Sequence, residues 1–295
     1  MSWPTDRRPS DALTGELMPE IWSAKGIQHV MSYLPCIEVV DVDWRVMLAK
    51  GDVLHIPVFT ELTASVVDPT VTAAINSGTV QTTFTTTAET LTIDKWYEVP
   101  IQVDDSVKKH SNIPRLLEGR LASAMYAIEK VMDTDVNGLF SGLSGSSVYG
   151  SDGQTFNDDI LIELMETLDE ADVPRENRSL VGDPSVLADC YKIDKFMSFD
   201  YTKYPLGAQG NGGYRGTINQ YNLPVYITNN LTAASTGSYG VLIHREAIGL
   251  AIQDPMDVEY DRVAAAASDL IYCRMLWGAD ELRDTFGKAF YTRKA

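Results

Sequence analysis

The chain has 295 residues, 44% of them hydrophobic, and a formal net charge of −17 at pH 7. This much apolar material supports a sizeable core, built as one elaborate domain or two modest ones, and excludes a wholly disordered chain. The acidic balance argues against a dedicated reader of duplex DNA, because neutralising phosphates requires a surplus of lysine and arginine. We therefore expect any contact with nucleic acid to be non-specific.

The sequence shows neither a targeting segment nor a membrane span. No apolar run resembles the core of a signal peptide, and none approaches the roughly 18 residues that a membrane helix needs. We therefore predict a soluble chain that stays in a cytoplasm. Its three cysteines, Cys36, Cys190 and Cys273, are odd in number and lie far apart, which predicts buried thiols rather than disulfides or a metal site.

The first hundred residues predict an extended arm and then a long β-hairpin. Residues 1–20 hold three prolines among charges and show no periodicity, and a short helix is predicted over 20–34. Over 51–104 two alternating runs flank a threonine-rich tip, and such a hairpin needs a partner surface because it is only marginally stable alone. Its alternating apolar residues are Leu54, Ile56, Val58 and Leu62, then Leu91, Ile93, Tyr97, Val99, Ile101 and Val103.

A long helix is predicted after the hairpin. Ser111-Asn112 before Ile113-Pro114 combines a capping residue with a first-turn proline, which is a helix start signal. The pattern lasts to about residue 140, and some 26 residues at about 1.5 Å each give a helix of roughly 40 Å. Its apolar residues recur at spacings of three and four: Leu117, Leu121, Met125, Ile128, Met132, Val136 and Leu139.

The second half predicts a small α/β lobe followed by more strands. A helix capped by Asn157 or Asp158 precedes a strand over 178–182, and Asp183-Pro184 opens another helix. Residues 198–222 are rich in glycine, tyrosine and asparagine and predict a mobile loop. Further strands are predicted at 223–228, 239–243, 258–262, 270–277 and 289–292, and we expect this tail to rejoin the first region.

The sequence does not point to a catalytic or cofactor site. The four histidines lack metal-ligand spacing, and the glycine-rich run at 207–213 lacks the strand, helix and lysine of a phosphate loop. Acidic pairs at 104–105, 158–159 and 163/166 have simple roles in turns and at a helix N-terminus. We therefore expect no cofactor, no metal and no enzymatic activity. A hydrolytic enzyme with paired carboxylates remains the alternative, because such pairs meet only in the folded chain.

The order of these pieces resembles the Hong Kong 97-type major capsid protein of tailed bacteriophages over nearly the whole chain. Two stretches, 173–184 and 216–231, are also similar to phrases of that family's A domain. The resemblance implies an α+β fold with an N-terminal arm, a long β-hairpin called the E-loop, a spine helix, a P-domain β-sheet and an inserted α/β A domain. The implied boundaries are 1–30 for the arm, 31–50 for the start of the P domain, 51–104 for the E-loop, 105–154 for the P domain with the spine helix, 155–235 for the A domain and 236–295 for the return strands of both domains.

The resemblance implies that the chain functions by assembling with copies of itself. A chain of this family forms hexamers and pentamers that build an icosahedral shell around double-stranded DNA, with a portal at one vertex. The expected location is the virion capsid, assembled in the cytoplasm of a bacterial host, with no membrane contact. An arm of about 30 residues has no room for a built-in scaffolding domain, so a separate scaffolding protein is expected, and a decoration protein stays open. An encapsulin-like nanocompartment shell is the alternative within the same fold.

Charge suggests which residues meet between subunits. Residues 51–107 contain eight acids against Lys95 alone, a net of −7, so we expect basic groups on neighbouring copies. The founding member of the family cross-links a hairpin lysine to a neighbouring asparagine, and the position of Lys95 late in the return run predicts a shell without such cross-links. The predicted contact residues are Asp52, Glu61, Asp68 and Glu89 on the hairpin, with Lys108, Lys109, Arg115 and Arg120 as their partners.

Overall fold

A computed structural model of the chain describes residues 31–42, 44, 53–59, 86–106, 113–197, 206 and 214–293. Its helices are α1 (Cys36–Val39), α2 (Ile113–Leu139), α3 (Leu143–Ser146), α4 (Asp158–Glu170), α5 (Pro184–Cys190) and α6 (Asp194–Met197). Its strands are β1 (Val53–Phe59), β2 (Thr86–Thr92), β3 (Lys95–Asp104), β4 (Arg178–Gly182), β5 (Tyr214–Ile218), β6 (Leu223–Ile227), β7 (Tyr239–His244), β8 (Ile248–Val263), β9 (Ser268–Glu281) and β10 (Gly287–Tyr291).

The described strands form three sheets. β1 and β2 pair antiparallel as a two-stranded sheet, and β3, β9 and β8 form an antiparallel sheet in that order. The third sheet has the order β10-β7-β4-β6-β5, in which only β4 and β6 run parallel. The tail therefore supplies strands to two sheets, because β8 and β9 join β3 while β7 and β10 join β4.

The apolar stripe of α2 packs against strands of two sheets. Ala124, Ile128, Met132 and Val136 recur at every fourth position and are at most 5% exposed. Phe140 continues the row and is fully buried, whereas the predicted Leu139 is only half-buried. The partners of the stripe include Cys273, Met275 and Trp277 on β9, Ile248, Leu250 and Ile252 on β8, and Val241 and Ile243 on β7.

No helix in the described part of the chain is long and apolar enough to cross a membrane.

A second core lies on the other side of the five-stranded sheet. Along β7, Val241 and Ile243 belong to the α2 core, whereas Leu242 belongs to the second core. Along β4, Val181 and Leu180 divide in the same way. Both faces of β4 and β7 are buried, so apolar residues follow one another in these strands and do not alternate with polar ones. The second core takes its helical residues from α4 and α5, including Ile160, Leu161, Leu164, Leu168, Val186 and Cys190.

The hairpin differs from its prediction in the return strand. Only residues 86–92 pair with β1, from Val53 opposite Thr92 to Phe59 opposite Thr86. The chain leaves the hairpin at residues 93–94, and β3 pairs with β9 instead. The prediction of one unbroken return strand over 91–103 is wrong, because alternation marks which face of a strand is buried and not which strand it pairs with. The long spine helix and the helix capped by Asn157 are confirmed.

Two further predictions need correction. The loop predicted over 198–222 contains β5, a five-residue edge strand that pairs antiparallel with β6. The predicted strands 258–262 and 270–277 are central parts of β8 and β9, which are 16 and 14 residues long. Polar exposed residues in the outer half of β8 interrupt the apolar pattern and made the strand look short. The arm, most of the short helix predicted over 20–34 and the hairpin tip lie outside the described residues.

A buried polar network fastens the chain after Tyr33 to α2. Asp133 and Asn137 are both fully buried; Asp133 Oδ1 accepts from the backbone N–H of Cys36 at 3.1 Å, and Asn137 Nδ2 donates to Asp133 Oδ2 at 3.0 Å. Asn230 joins from the end of β6, donating to Asp133 Oδ2 at 2.8 Å. Because every buried polar group here finds a partner, the network holds three chain segments in one arrangement.

A second polar cluster fastens the C-terminal residues to α5. Arg293 donates to Asp189 through both Nε and an η nitrogen, at 2.8 and 2.7 Å. Burial by itself favours the neutral acid, but the hydrogen bonds from Arg293 and Lys192 outweigh it and lower the pKa of Asp189 below its usual value. The backbone N–H of Phe156 donates to the same carboxylate at 3.2 Å. This carboxylate therefore ties the tail and the start of the lobe to α5.

Replacing Gly278 is expected to disturb the base of the hairpin. A Cβ at this position would lie 2.0 Å from the carbonyl oxygen of Thr92 and 2.8 Å from the Cα of Ile93. Both atoms belong to the backbone, so Gly278→Ala should lower the free energy of unfolding by about 1–3 kcal/mol in chemical denaturation. Gly138→Ala is the matched control, because its Cβ meets nothing within 4 Å and helix α2 should gain about 0.5–1 kcal/mol. Equal effects of the two substitutions would contradict this account.

Acid should weaken the clasp of Asp189. The pKa of Asp189 is lowered in the folded state. Its contribution to the free energy of unfolding is therefore complete above the unfolded-state pKa of about 3.9 and is lost as the pH falls through the folded-state pKa. Asp189→Asn should therefore cost about 2 kcal/mol of unfolding free energy at pH 7, with a deficit that shrinks below about pH 4. Asp194→Asn, at an exposed carboxyl on α6, should change stability by less than about 0.5 kcal/mol at both pH values. A deficit independent of pH would show that the charge of Asp189 is not involved.

Candidate functional site

The predicted contact residues fall partly within the described chain. Glu89 lies on β2, exposed, opposite Ile56 of β1. Arg120 is exposed on α2. Arg115 lies in the first turn of α2, and its side chain is not described; Asp52, Glu61, Asp68, Lys108 and Lys109 lie outside the described residues. Glu89 and Arg120, whose side chains the structure describes, are not paired with each other, and the pairing of the set between copies stays a prediction.

The hairpin β1–β2 presents apolar side chains on both faces. Leu54 and Ile56 pack at its base with Leu91 and Ile93, which are at most 7% exposed. The opposite face of β1 carries Val53, His55, Pro57 and Phe59, all exposed, and Phe59 is 78% exposed. One face is therefore partly covered by the rest of the chain, and the other offers an aromatic ring to a partner.

The edges of this hairpin are also available for contact. Within the described residues β1 and β2 pair only with each other, so each has one edge without a neighbouring strand. β1 carries Pro57, which has no backbone N–H to donate and is therefore tolerated on an edge strand. β2 contains no proline and one charged residue, Glu89. An added strand would therefore find a complete set of backbone groups along β2 rather than β1.

The described residues cover the outer face of the three-stranded sheet only in part, where Leu276 packs against the base of the hairpin. Its inner face packs on α2 through Val99, Ile101 and Cys273. Trp96 points to the outer face and is 66% exposed. On the inner side, the ring of Tyr97 stacks on Trp277 with centroids 5.1 Å apart. By the strand register, the outer face also carries Pro100 on β3 and Leu270, Tyr272 and Leu276 on β9.

The β8 side of that face is acidic. Asp254, Asp257, Glu259 and Asp261 are exposed along this edge strand, and Arg274 pairs with Glu259 from the neighbouring strand. At the far end, Arg262 donates to Asp105 and to Asp269, each at 2.7 Å. The acids, Pro255 and two register shifts make β8 a poor template for a further strand. The acidic hairpin of a neighbour would also be repelled here.

The side chains considered for catalysis do not converge in the described part of the chain. There, no three His, Cys, Asp or Glu side chains gather as a metal site. All three cysteines are buried, as predicted, and burial raises the pKa of the Cys190 thiol to about 12. His244 is also buried, which lowers its pKa, and its Nδ1 accepts from the backbone N–H of Glu246 at 3.2 Å. These thiols are protonated at neutral pH and are not nucleophiles.

The acidic pairs have structural partners instead. Asp158 and Asp159 lie in the first turn of α4, as predicted, and Asp158 pairs with Lys195. Asp105 pairs with Arg262, and Glu163 and Glu166 are exposed along α4. Asp169 accepts from Arg175 at 2.6 Å and from Arg178 at 2.7 Å. Asp105, Asp158 and Asp169 are therefore members of ion pairs, and Asp158 and Asp159 also place negative charge at the N-terminus of a helix.

The sequence reasoning missed the exposed aromatic residues. Trp96 stands at an even position of the run 91–103, among residues that are otherwise polar or proline. A tryptophan on the polar face of a strand was the available signal for an interaction surface. Phe59 gave a weaker signal, because it follows the alternation of β1 on the face opposite Leu54 and Ile56. Both side chains lie on surfaces that the described residues leave open.

Comparisons with known proteins resolve the fold. Neither the protein-family models nor the curated proteins include a match to this chain. Solved structures do match. A chain of Mycobacterium phage Che8 is 19% identical with a TM-score of 0.74, covering 94% of this chain and 97% of its own length. A chain from the capsid structure of Cyanophage P-SCSP1u is 12% identical with a TM-score of 0.70, covering 95% and 94%.

A third match is a capsid chain of a native GTA particle, 14% identical with a TM-score of 0.65, covering 98% of this chain and 100% of its own length. At these identities the likeness establishes a shared fold. The mixed helix and strand fold of phage capsid chains, which the resemblance in sequence implied, is thereby confirmed over nearly the whole chain.

Proposed function

We propose that this chain is the major capsid protein of a tailed phage, which assembles through hexamers and pentamers into an icosahedral shell around double-stranded DNA. The observation that carries the proposal is the fold shared with capsid chains over at least 93% of both lengths. The exposed hairpin and the open sheet face support it, because both are surfaces that a single copy leaves uncovered. The separate scaffolding protein, the portal and a decoration protein belong to the same proposal as partners.

The family's subdivisions are proposed for this chain as follows. The hairpin β1–β2 is the core of the E-loop, whose predicted range of 51–104 also includes β3. Because β3 pairs with β9, we assign β3 to the P domain with α2 and the rest of the three-stranded sheet. The five-stranded sheet with α4, α5 and α6 is the A domain, to which β7 and β10 are added from the tail. The second core, which this sheet forms with α4, α5 and α6 on the face turned away from α2, supports the assignment of the A domain.

The hairpin is proposed to lie over a neighbouring copy. Its outward face, with Phe59 at 78% exposure, would be buried there, and burying one such side chain stabilises a contact by about 1.5–3 kcal/mol. The receiving surface should avoid the acidic β8 edge, because the hairpin itself is acidic. The basic residues near the start of α2 suit it better, namely Arg120 in the described chain with Lys108, Lys109 and Arg115.

The overall charge suits a DNA container. A net charge of −17 leaves no general surplus of cations for phosphate binding, so packaged DNA would be contacted only non-specifically. The same charge opposes random association of copies, and contacts that form must therefore match acids to bases locally. The shell would therefore bind the packaged DNA weakly, whereas its subunits would bind one another in defined orientations.

Assembly tests the proposal directly. The purified chain, alone and with a candidate scaffolding protein, should form closed shells, tubes or hexameric and pentameric rings in negative-stain electron microscopy. Phe59→Asp should abolish these particles at concentrations where the parent assembles, because it places a charge in the proposed contact. Its free energy of unfolding should change by less than about 0.5 kcal/mol, since the side chain is exposed within one copy.

Two controls separate assembly from folding. Phe59→Leu keeps an apolar side chain and should still assemble. Leu91→Ala removes a fully buried side chain at the hairpin base and should lower unfolding free energy by about 2–5 kcal/mol. Normal shells from Phe59→Asp would refute the hairpin contact, and a persistently monomeric, well-folded parent would refute the capsid function.

The shell is also proposed to lack covalent cross-links. Lys95 lies on β3, and its hydrogen bond with Asp94, at 3.3 Å, and the charge of that acid raise the pKa of the ammonium group. Lys95 therefore belongs to the three-stranded sheet, and residues 51–94, which include the hairpin, contain no lysine. Mature particles boiled in SDS should therefore run as one band near 32.6 kDa. Particles of Lys95→Arg should look the same, and a ladder of oligomers in the parent would contradict the proposal.

A further inference from the structure

The edge strand β5 carries an arginine whose charge is not compensated within the described part of the chain. Arg215 is half-buried, and its Nε is buried there without a hydrogen-bond partner. By contrast, Arg178 and Arg293, which are also shielded from solvent, each have a carboxylate oxygen at 2.7 Å. Because a shielded charge is stabilised by an opposite one, Arg215 favours the binding of a carboxylate.

Arg215 lines a preformed cleft of about 290 Å³ at the carboxyl ends of the parallel strands β4 and β6. The backbone N–H of Thr228, which follows β6, donates to the carbonyl oxygen of Gly182 at 3.0 Å. The hydroxyl of Thr228 donates to the carbonyl oxygen of Tyr33 at 2.9 Å, which holds the wall formed by residues 31–33 in place. The described residues that line the cleft include no acid, so the cleft carries one positive charge.

The opposite end of β6 is acidic. Tyr221, which precedes this strand, lines a second cleft of about 530 Å³ along α4. Ile162, Glu166 and Glu170 also line it and follow one another at intervals of four residues, so they form one row on the helix. Both glutamates are exposed, and Ile162 is 43% exposed although α4 packs on a core. The arginines at this end are held by Asp169, which accepts from both Arg175 and Arg178.

We propose that the Arg215 cleft of one copy binds Glu166 of a neighbouring copy, while Ile162 of that neighbour packs on Met31. Ile162 lies one helical turn before Glu166, about 6 Å away along α4, so both side chains face the same partner. Met31 lines the Arg215 cleft and is 45% exposed, so the contact would cover two apolar side chains that a single copy leaves open. This inference rests on the proposed function and names one contact between its subunits.

The placement of the two surfaces makes this contact head-to-tail. They lie beyond opposite ends of β6, whose five residues span about 17 Å, so one copy can bind two neighbours at once. Contacts between two different surfaces close into rings when the rotation between copies closes. A symmetrical contact between two α4 faces is disfavoured, because it would bring Glu166 and Glu170 of both copies together.

Charge exchange tests the contact. Arg215→Glu and Glu166→Arg should each raise the protein concentration needed for rings or shells at least tenfold, and the double variant should return to within about threefold of the parent. An equimolar mixture of the two single variants should recover rings of six in preference to rings of five, because charges match all round a ring only when the variants alternate. Lys130→Glu and Asp194→Arg make the same charge changes at exposed positions elsewhere and should assemble like the parent. Unfolding curves check the folding of every variant.

Zero-length cross-linking tests the same contact without requiring shells. In concentrated, unassembled Arg215→Lys protein, a water-soluble carbodiimide should join the new amine to Glu166 of another copy, giving a covalent dimer whose linked peptides are identified by mass spectrometry. Within one copy the two positions lie toward opposite ends of β6, so this bond reports contact between copies. Adding Glu166→Gln should remove the product.

The two tests separate this contact from the capsid function. Shells from the parent, together with cross-links to other acids only or a double variant that does not recover, would overturn the contact and leave the capsid function in place. A cross-link between position 215 and Glu166 in a chain that forms neither rings nor shells would support the contact and refute the capsid function.

Discussion

Packing of the α2 stripe against two sheets at once is the interaction on which the rest of the structure depends. Ile128, Met132 and Val136 touch a core that draws on β8 and β9 from one sheet and on β4 and β7 from another. The helix therefore fixes how these sheets stand to each other, and the five-stranded sheet can bury its opposite face against α4. Asp133 and Asn137, fully buried beside the stripe, then fasten the entering chain and the end of β6 to the same helix.

This arrangement decides which surfaces remain for other molecules. Because α2 covers one face of the three-stranded sheet, the other face is left with Trp96 and an acidic edge along β8. Because the chain joins β9 after residue 92, the described part of the hairpin meets the rest of the chain at its base, where Gly278 allows the backbones to approach closely. In the proposed shell, these exposed surfaces would be the ones through which copies of the chain associate.

Sequence patterns predicted the parts of this fold whose signal is local. The α2 stripe, the Asn157 cap and the buried run at 178–182 follow from periodicity and capping alone. Strand pairing did not, because Leu91 and Val99 obey the same alternation although they lie on strands of different sheets. The cleft on α4 was also beyond sequence reasoning. Ile162 and Glu166 read as ordinary surface positions until Tyr221, more than fifty residues later, closes one side.

The distribution of acids links these surfaces. Arginine holds the buried carboxylate of Asp189 and the half-buried one of Asp169, through Arg293 and Arg178, whereas amide groups hold the fully buried Asp133. The exposed acids of the described chain lie along β8 and along α4, with Glu89 on the hairpin, so copies of the chain would repel one another at these places unless a cation lies between them.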